Sequence, residues 1–259
     1  MSSGATYNSL KYLTIEGAQS NISRGVVEFT SFLSTSNCYD SISNCTIQNY
    51  SGKSIANAIY SKGDGLLKKN EINYISKNKF VNCVSAGIFL DVYNQTWVIK
   101  DNHFYQTTSF KPTSTVYGIH IVNEGSGYFI DGNYIGGQSP NCNGSPYSLN
   151  TSQNHFFPIY LSVTGVYKPN IIQYNIISNI ILNNTDGSSL NPGVFTGIYV
   201  SGIPMSNSTI ILGNRIGDTT KMSSNAIKIL SSVSGALIQA VFVNTNGAIL
   251  INKNLIGNI

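Results

Sequence analysis

Charge is scarce in this chain. Of its 259 residues only 10% are charged, and 15 Lys and Arg stand against 11 Asp and Glu for a formal net charge of +4. Arginine occurs only at Arg24 and Arg215. Recognition of phosphate by arginine forks therefore has little to work with, and no basic stripe points to nucleic acid. Cysteine is rare too: Cys38, Cys45, Cys83 and Cys142 have no metal-ligand spacing, which argues against a zinc module or a dense disulfide scaffold. A Cys38–Cys45 or Cys45–Cys83 bridge stays open at this stage. No apolar run is long enough to cross a bilayer, and the opening MSSGATYNSL lacks a basic segment followed by an apolar one. Amphipathic helical spacing is almost absent, while Ile, Val, Thr and Tyr dominate.

What the chain does have is 41% apolar residues, which sets it apart from a disordered polypeptide, and a repeated beat of apolar–x–x–Asn–x–apolar. The beat appears at Ile75, Asn78, Phe80; at Ile99, Asn102, Phe104; and at Ile130, Asn133, Ile135. It returns at Ile172, Asn175, Ile177; at Ile211, Asn214, Ile216; and at Ile251, Asn254, Ile256. Two early copies, Leu10, Leu13, Ile15 and Ile42, Cys45, Ile47, fill the asparagine slot otherwise. Ile238, Val241, Val243 reads as a further degenerate copy and leaves the C-terminal register open.

A second signature, a small residue or Pro followed by apolar–x–apolar, precedes most copies. It reads GIFL (87–90), GIHI (118–121), PIYL (158–161), GIYV (197–200) and AIKI (226–229), with AIYS (58–61) a weaker form. Successive signatures lie roughly 29 to 40 residues apart, in the range of solenoid coils. Stacked coils would set each short strand about 4.8 Å from its equivalent in the next coil, with Ile and Val pointing inward. The asparagine is expected to occupy the left-handed backbone conformation at a corner and to ladder its amide along the axis. The expected fold is an all-β, single-stranded right-handed parallel β-helix of about eight coils, with long loops on one side. Residues 1–259 read as one such domain, a segment of a longer chain or assembly.

The stretches GIFL…WVIKDNHF, GIHI…YFIDGNYI and GIYV…TIILGNRI resemble the right-handed parallel β-helix repeats of the pectate-lyase-like superfamily, across nearly the whole chain. That superfamily spans pectate lyases, polygalacturonases, surface adhesins and phage tailspikes, so the resemblance implies a fold and leaves the chemistry open. Its enzyme signatures are missing. NTDG at Asn184 to Gly187 falls in a loop, without paired aspartates or Gly-His-Gly, and is read as chance in an Asn-rich chain. No acidic cluster accompanies either arginine, as lyase chemistry with calcium would need. No metal or cofactor is expected.

The x positions of the signature, Tyr60, Phe89, His120, Tyr160, Tyr199 and Lys228, should form an outward column if the coils are in register. Such a row of rings could stack on successive sugars, or it could simply shield the sheet through favourable cross-strand pairs. Loops 105–117, 136–157 and 178–196 would add Tyr105, Phe110, Tyr117, Tyr147, Phe156 and Phe195 beside it. The ligand-binding set is accordingly Tyr60, Phe89, His120, Tyr160, Tyr199, Tyr117 and Phe195. A second outward column holds Lys62, Asp91, Val122, Ser162 and Ser201. It would place Asp91 diagonally from His120, with Glu124 one step on. Two carboxylates beside a histidine are the minimum for acid–base glycoside hydrolysis, although both acids could merely begin solvated turns.

The expected function is a non-catalytic surface module, adhesin-like or virion-fibre-like, that binds polysaccharide or another cell-surface ligand. The alternatives are a polysaccharide hydrolase using Asp91, Glu124 and His120, and a purely structural stalk or shell. The expected location is extracellular, at a cell or virion surface. Uncapped solenoid ends with open β-edges imply end-to-end contacts or a homo-oligomer.

Overall fold

The computed structural model describes residues 1–2, 4–32, 35–107, 112, 115–151, 155–184, 192–218, 225–231 and 235–259. The chain winds as a right-handed parallel β-helix. Sheet A has eight strands, from Ser9–Lys11 to Ala248–Asn252. Sheet B also has eight, from Thr14–Gly17 to Leu255–Ile256. Sheet C has seven, from Gly25–Thr30 to Ile238–Asn244. All their strand pairs are parallel, so the sheets stack one coil on the next.

The register is that of the beat. Ile75 pairs with Ile99, Ile99 with Ile130, and Ile130 with Ile172 along sheet A. Phe80, Phe104, Ile135 and Ile177 pair likewise along sheet B. These side chains fill the tube, and one core cluster runs from Val27 to Ile227. The small residue of the signature has a packing reason. A Cβ on Gly87 would meet the Phe104 ring at 2.3 Å, and one on Gly197 would meet Ile216 at 3.2 Å. In the last coil the beat residues Ile251 and Ile256 are 52% and 59% exposed, whereas their equivalents Ile211 and Ile216 are fully buried.

The asparagines form the expected ladder, but they do not take the left-handed turn. That conformation falls on the residue before each one: Lys77 (φ 57), Asp101 (φ 55), Gly132 (φ 64), Tyr174 (φ 54), Gly213 (φ 64) and Lys253 (φ 53). The reason lies in where the side chains must go. The left-handed residue sends its side chain outward, as exposed Lys77 and Tyr174 show, while the asparagine keeps its amide inside the corner. Asn102 donates its backbone N–H and its amide Nδ2 to Asn133 Oδ1, both at 3.0 Å, and a second Nδ2 hydrogen to Ile75 O at 2.9 Å. Asn133 repeats this on Asn175 and Ile99, and Asn175 on Asn214 and Ile130. The amide oxygen and nitrogen of Asn102, Asn133 and Asn175 are thereby all used. A shorter ladder, Asn8–Asp40–Asn73, runs before the first strands of sheet A. It ends where Trp97 and Tyr128 take over the slot.

The C-terminal register differs from the sequence expectation. Ile238–Asn244 is not a beat copy but the last strand of sheet C, pairing Ile198 with Val241 and Tyr199 with Phe242. The AIKI strand, Ile227–Ser231, lies instead in a small accessory sheet beside Ile180–Asn184 and Tyr147–Thr151. Two of the supposed loops, 136–157 and 178–196, thus carry strands, because Leu149, Leu182 and Ile227 bury in the same core. All four cysteines are free, which removes both bridges considered from the sequence, and Cys45 is buried at 1% exposure. Burial pushes the Cys83 thiol up to about 12 and the Cys142 thiol up to about 11.

Asn133→Ala strands two donors of Asn102 and the carbonyl of Ile99 in the core, and should cost about 4 kcal/mol of unfolding free energy by chemical denaturation. Asn254→Ala, at a partly exposed end of the ladder, should cost only about 1 kcal/mol. A cost at Asn133 as small as about 1 kcal/mol would show that the buried amides contribute little.

Candidate functional site

Strand pairing brings the signature x positions into one row on the outer face of sheet C. Glu28 pairs with Tyr60, Tyr60 with Phe89, Phe89 with His120, His120 with Tyr160, Tyr160 with Tyr199, and Tyr199 with Phe242. Phe242 thus takes the place expected for Lys228, which sits in the accessory sheet opposite Ile181. The substitution matters, because it turns a cationic end of the row into an aromatic one.

The rings pack mainly on each other. Phe89 stacks on His120 at 4.5 Å, His120 on Tyr117 at 3.9 Å, and Tyr117 on Phe157 at 5.4 Å, with interplanar angles of 16°, 5° and 19°. Tyr160, Tyr199 and Phe242 form a second stack, at 4.2 Å and 5.2 Å. The two stacks meet nearly at right angles, as between His120 and Tyr160 at 83°. Offset and edge-to-face contacts of this kind are favourable in themselves. They also occupy the ring faces that the sequence reading assigned to sugars, so the strip offers ring edges and hydroxyls rather than open faces. Tyr60 and Tyr199 are 3% and 8% exposed, while Phe89, Tyr117, His120, Tyr160 and Phe242 are half-buried.

Phe195 is not on this surface. It is fully buried in the core beside Phe156, as are Tyr147 and Phe156 themselves, because the strand Phe195–Ser201 already begins at that residue. Phe110 lies outside the described residues, as do residues 185–187 of the NTDG stretch. Tyr117 escapes the core because Gly118 and Ile119 both face inward behind it; a Cβ on Gly118 would reach Ile135 at 3.0 Å.

Burial drives the electrostatics. It lowers the His120 imidazole to about 4, with Asp91 opposing, so the ring is neutral near pH 7. Burial and the hydrogen bond donated to Asp91 hold the Tyr60 hydroxyl above its ordinary value. Burial raises Tyr160 as well, with a hydrogen bond to Tyr199 adding to it, and burial raises Tyr117.

Of the proposed acid–base set, Asp91 accepts the Tyr60 hydroxyl at 2.7 Å on Oδ2. Glu124 accepts the backbone N–H of Tyr93 at 3.2 Å on Oε2, and its carbonyl takes the Lys69 ammonium at 3.1 Å. No hydrogen bond or ion pair joins Asp91, Glu124 and His120 to one another among the described residues. His103, unassigned from the sequence, stacks on Tyr134 at 5.0 Å and accepts the Asn141 N–H on Nδ1. Among the described residues no group of three His, Cys, Asp or Glu could hold a metal ion, and no helix is long and apolar enough to cross a membrane.

Sequence reasoning missed Phe157 and Phe242. Phe157 was hidden one residue before the PIYL signature. Phe242 was hidden by the AIKI copy, whose Lys228 stands ten residues before Ile238, as His120 does before Ile130, while Phe242 stands only nine before Ile251. In comparisons with known proteins, the chain matches no family model, no curated protein and no solved structure.

Because folding depresses the His120 pKa below its unfolded value of about 6.5, the unfolded chain takes up this proton first. Stability linked to His120 is complete above pH 6.5 and is lost as pH falls towards 4, by about 2.5 kcal/mol at pH 4.5. Denaturant titrations at pH 7 and 4.5 should therefore show a smaller acid loss in His120→Phe, which keeps the ring stack. An identical loss in variant and parent would place the titration elsewhere.

Proposed function

We propose that this chain is a surface-exposed β-helical module that binds polysaccharide or another cell-surface glycan without reacting it, in the manner of adhesin-like or virion-fibre-like solenoids. Membership of the pectate-lyase-like superfamily is part of the same reading and rests on the coil signatures and the parallel stack. The observation that carries it is the aromatic row, held in register over six coils on one face. With a rung spacing of about 4.8 Å, its five intervals make a strip of roughly 24 Å. A strip of that length suits an extended polymer better than a compact small molecule. Alongside it run neutral polar groups, including Ser162 and Ser201, whose hydroxyls bond at 2.9 Å. Ring C–H edges interleaved with hydroxyls complement a sugar chain, which itself alternates apolar C–H patches with hydroxyls.

The hydrolytic alternative has less behind it. Asp91 and Glu124 are each engaged by other protein groups, and the neutral His120 is stacked on both sides.

Glycan-array binding should be lost on Tyr160→Ala and should survive Asp91→Asn. Release of reducing ends from a polysaccharide, abolished by Asp91→Asn, would replace the binding reading with the enzymatic one.

A further inference from the structure

The outer face of sheet C changes character along the solenoid axis. Its first coils carry charge, with Arg24 paired to Glu28 at 2.6 Å and with Lys62 and Asp91 nearby. The four strands that follow, Val116–Asn123, Phe156–Val163, Phe195–Ser201 and Ile238–Asn244, contain no Asp, Glu, Lys or Arg, and the one charge directly after the first of them is the anionic Glu124. The other sheets are not built this way: sheet A carries the Lys100–Asp131 ion pair at 2.8 Å, and sheet B carries Lys79 and Arg215. Past the aromatic row, the second outward column reads Val122, Ser162, Ser201 and Asn244. Asn244 opens onto a concavity of about 350 Å³ that also includes Thr164, Thr245 and Asn246 and has no charged lining residue. His120, the one titratable nitrogen in the row, is half-buried, stacked on Phe89 and Tyr117.

From this we infer that the strip selects uncharged glycans, built from neutral sugars, and discriminates against uronate, sialylated or sulfated chains; the inference rests on the binding reading above. The physical reason is desolvation. A carboxylate or sulfate laid against this face would give up water and gain no cationic partner from these strands, which is costly. A neutral sugar needs only hydroxyl and amide partners, and half-buried Ser162, Tyr117 and Tyr160 and exposed Asn244 supply them. Discrimination of this kind comes from what the surface withholds as much as from what it offers.

The test compares neutral glucan, mannan and galactan oligosaccharides with polygalacturonate and dextran sulfate, by calorimetry or biolayer interferometry on the whole chain. At least one neutral glycan should bind at least tenfold tighter than either acidic polymer, with little change between low and high salt, as expected for uncharged recognition. Val122→Lys adds a cation at a 37% exposed position beside the row and should raise polygalacturonate affinity while leaving the circular-dichroism spectrum unchanged. Equal or tighter binding of an acidic polymer by the parent chain would overturn the inference and leave the binding reading standing. Binding to no glycan of either class, by a chain whose spectrum shows it folded, would overturn both.

Discussion

One hydrogen-bonded unit is repeated at the corner between sheets A and B, from Asn78 to Asn254, and the rest of the molecule depends on it. An asparagine amide, buried at a turn, uses its oxygen to accept two donors from one neighbouring coil and its nitrogen to donate to both neighbours. No isolated coil can complete this set. The polar interior of the corner is therefore satisfied only when coils stack at a fixed height and a fixed rotation. The isoleucine columns supply the driving force for burial, but apolar packing alone tolerates slippage. The amides specify register, and register is what places Tyr60, Phe89, His120, Tyr160, Tyr199 and Phe242 in one row although more than thirty residues separate some successive members.

The division of labour at the corner has a chemical logic. Left-handed backbone is adopted by Lys, Asp and Tyr residues that would ordinarily avoid it, at a cost of roughly 1–2 kcal/mol each for residues other than glycine. The cost falls on the residue whose side chain can leave for solvent. The asparagine keeps an ordinary backbone and uses its side chain inward. A residue type chosen for hydrogen bonding thus sits next to one chosen for almost nothing, which explains why only the first is periodic.

That contrast also explains what could be read from the sequence. The beat was legible because burial and amide pairing constrain three positions per coil, and the fold followed from it. The left-handed position was not legible, since Lys77, Gly132 and Tyr174 share no side-chain property. AIKI imitated the sheet C signature because an edge strand of the accessory sheet also needs inward Ile227 and Ile229 beside a small residue. Phe195 and Tyr147 were assigned outward because a loop was expected where the chain forms strands. The aromatic row itself was visible in outline, but the mutual stacking of its rings depends on rotamers and on Phe157, which no periodicity reveals. The charge-free character of its last four strands was present in the sequence all along, and acquired meaning only once those strands were neighbours.

Register along sheet C can be tested directly by covalent capture. Ser162 and Ser201 are paired across adjacent coils, thirty-nine positions apart in sequence, with hydroxyls at 2.9 Å. Adjacent parallel strands hold paired Cα atoms within the range a disulfide spans, about 4.4–6.8 Å. A Ser162→Cys, Ser201→Cys chain should form an intramolecular disulfide on mild oxidation, seen as a two-dalton mass loss within a monomer of unchanged circular dichroism. Both thiols remaining free under those conditions, or cross-linking only between molecules, would contradict the stacking on which the proposed surface stands.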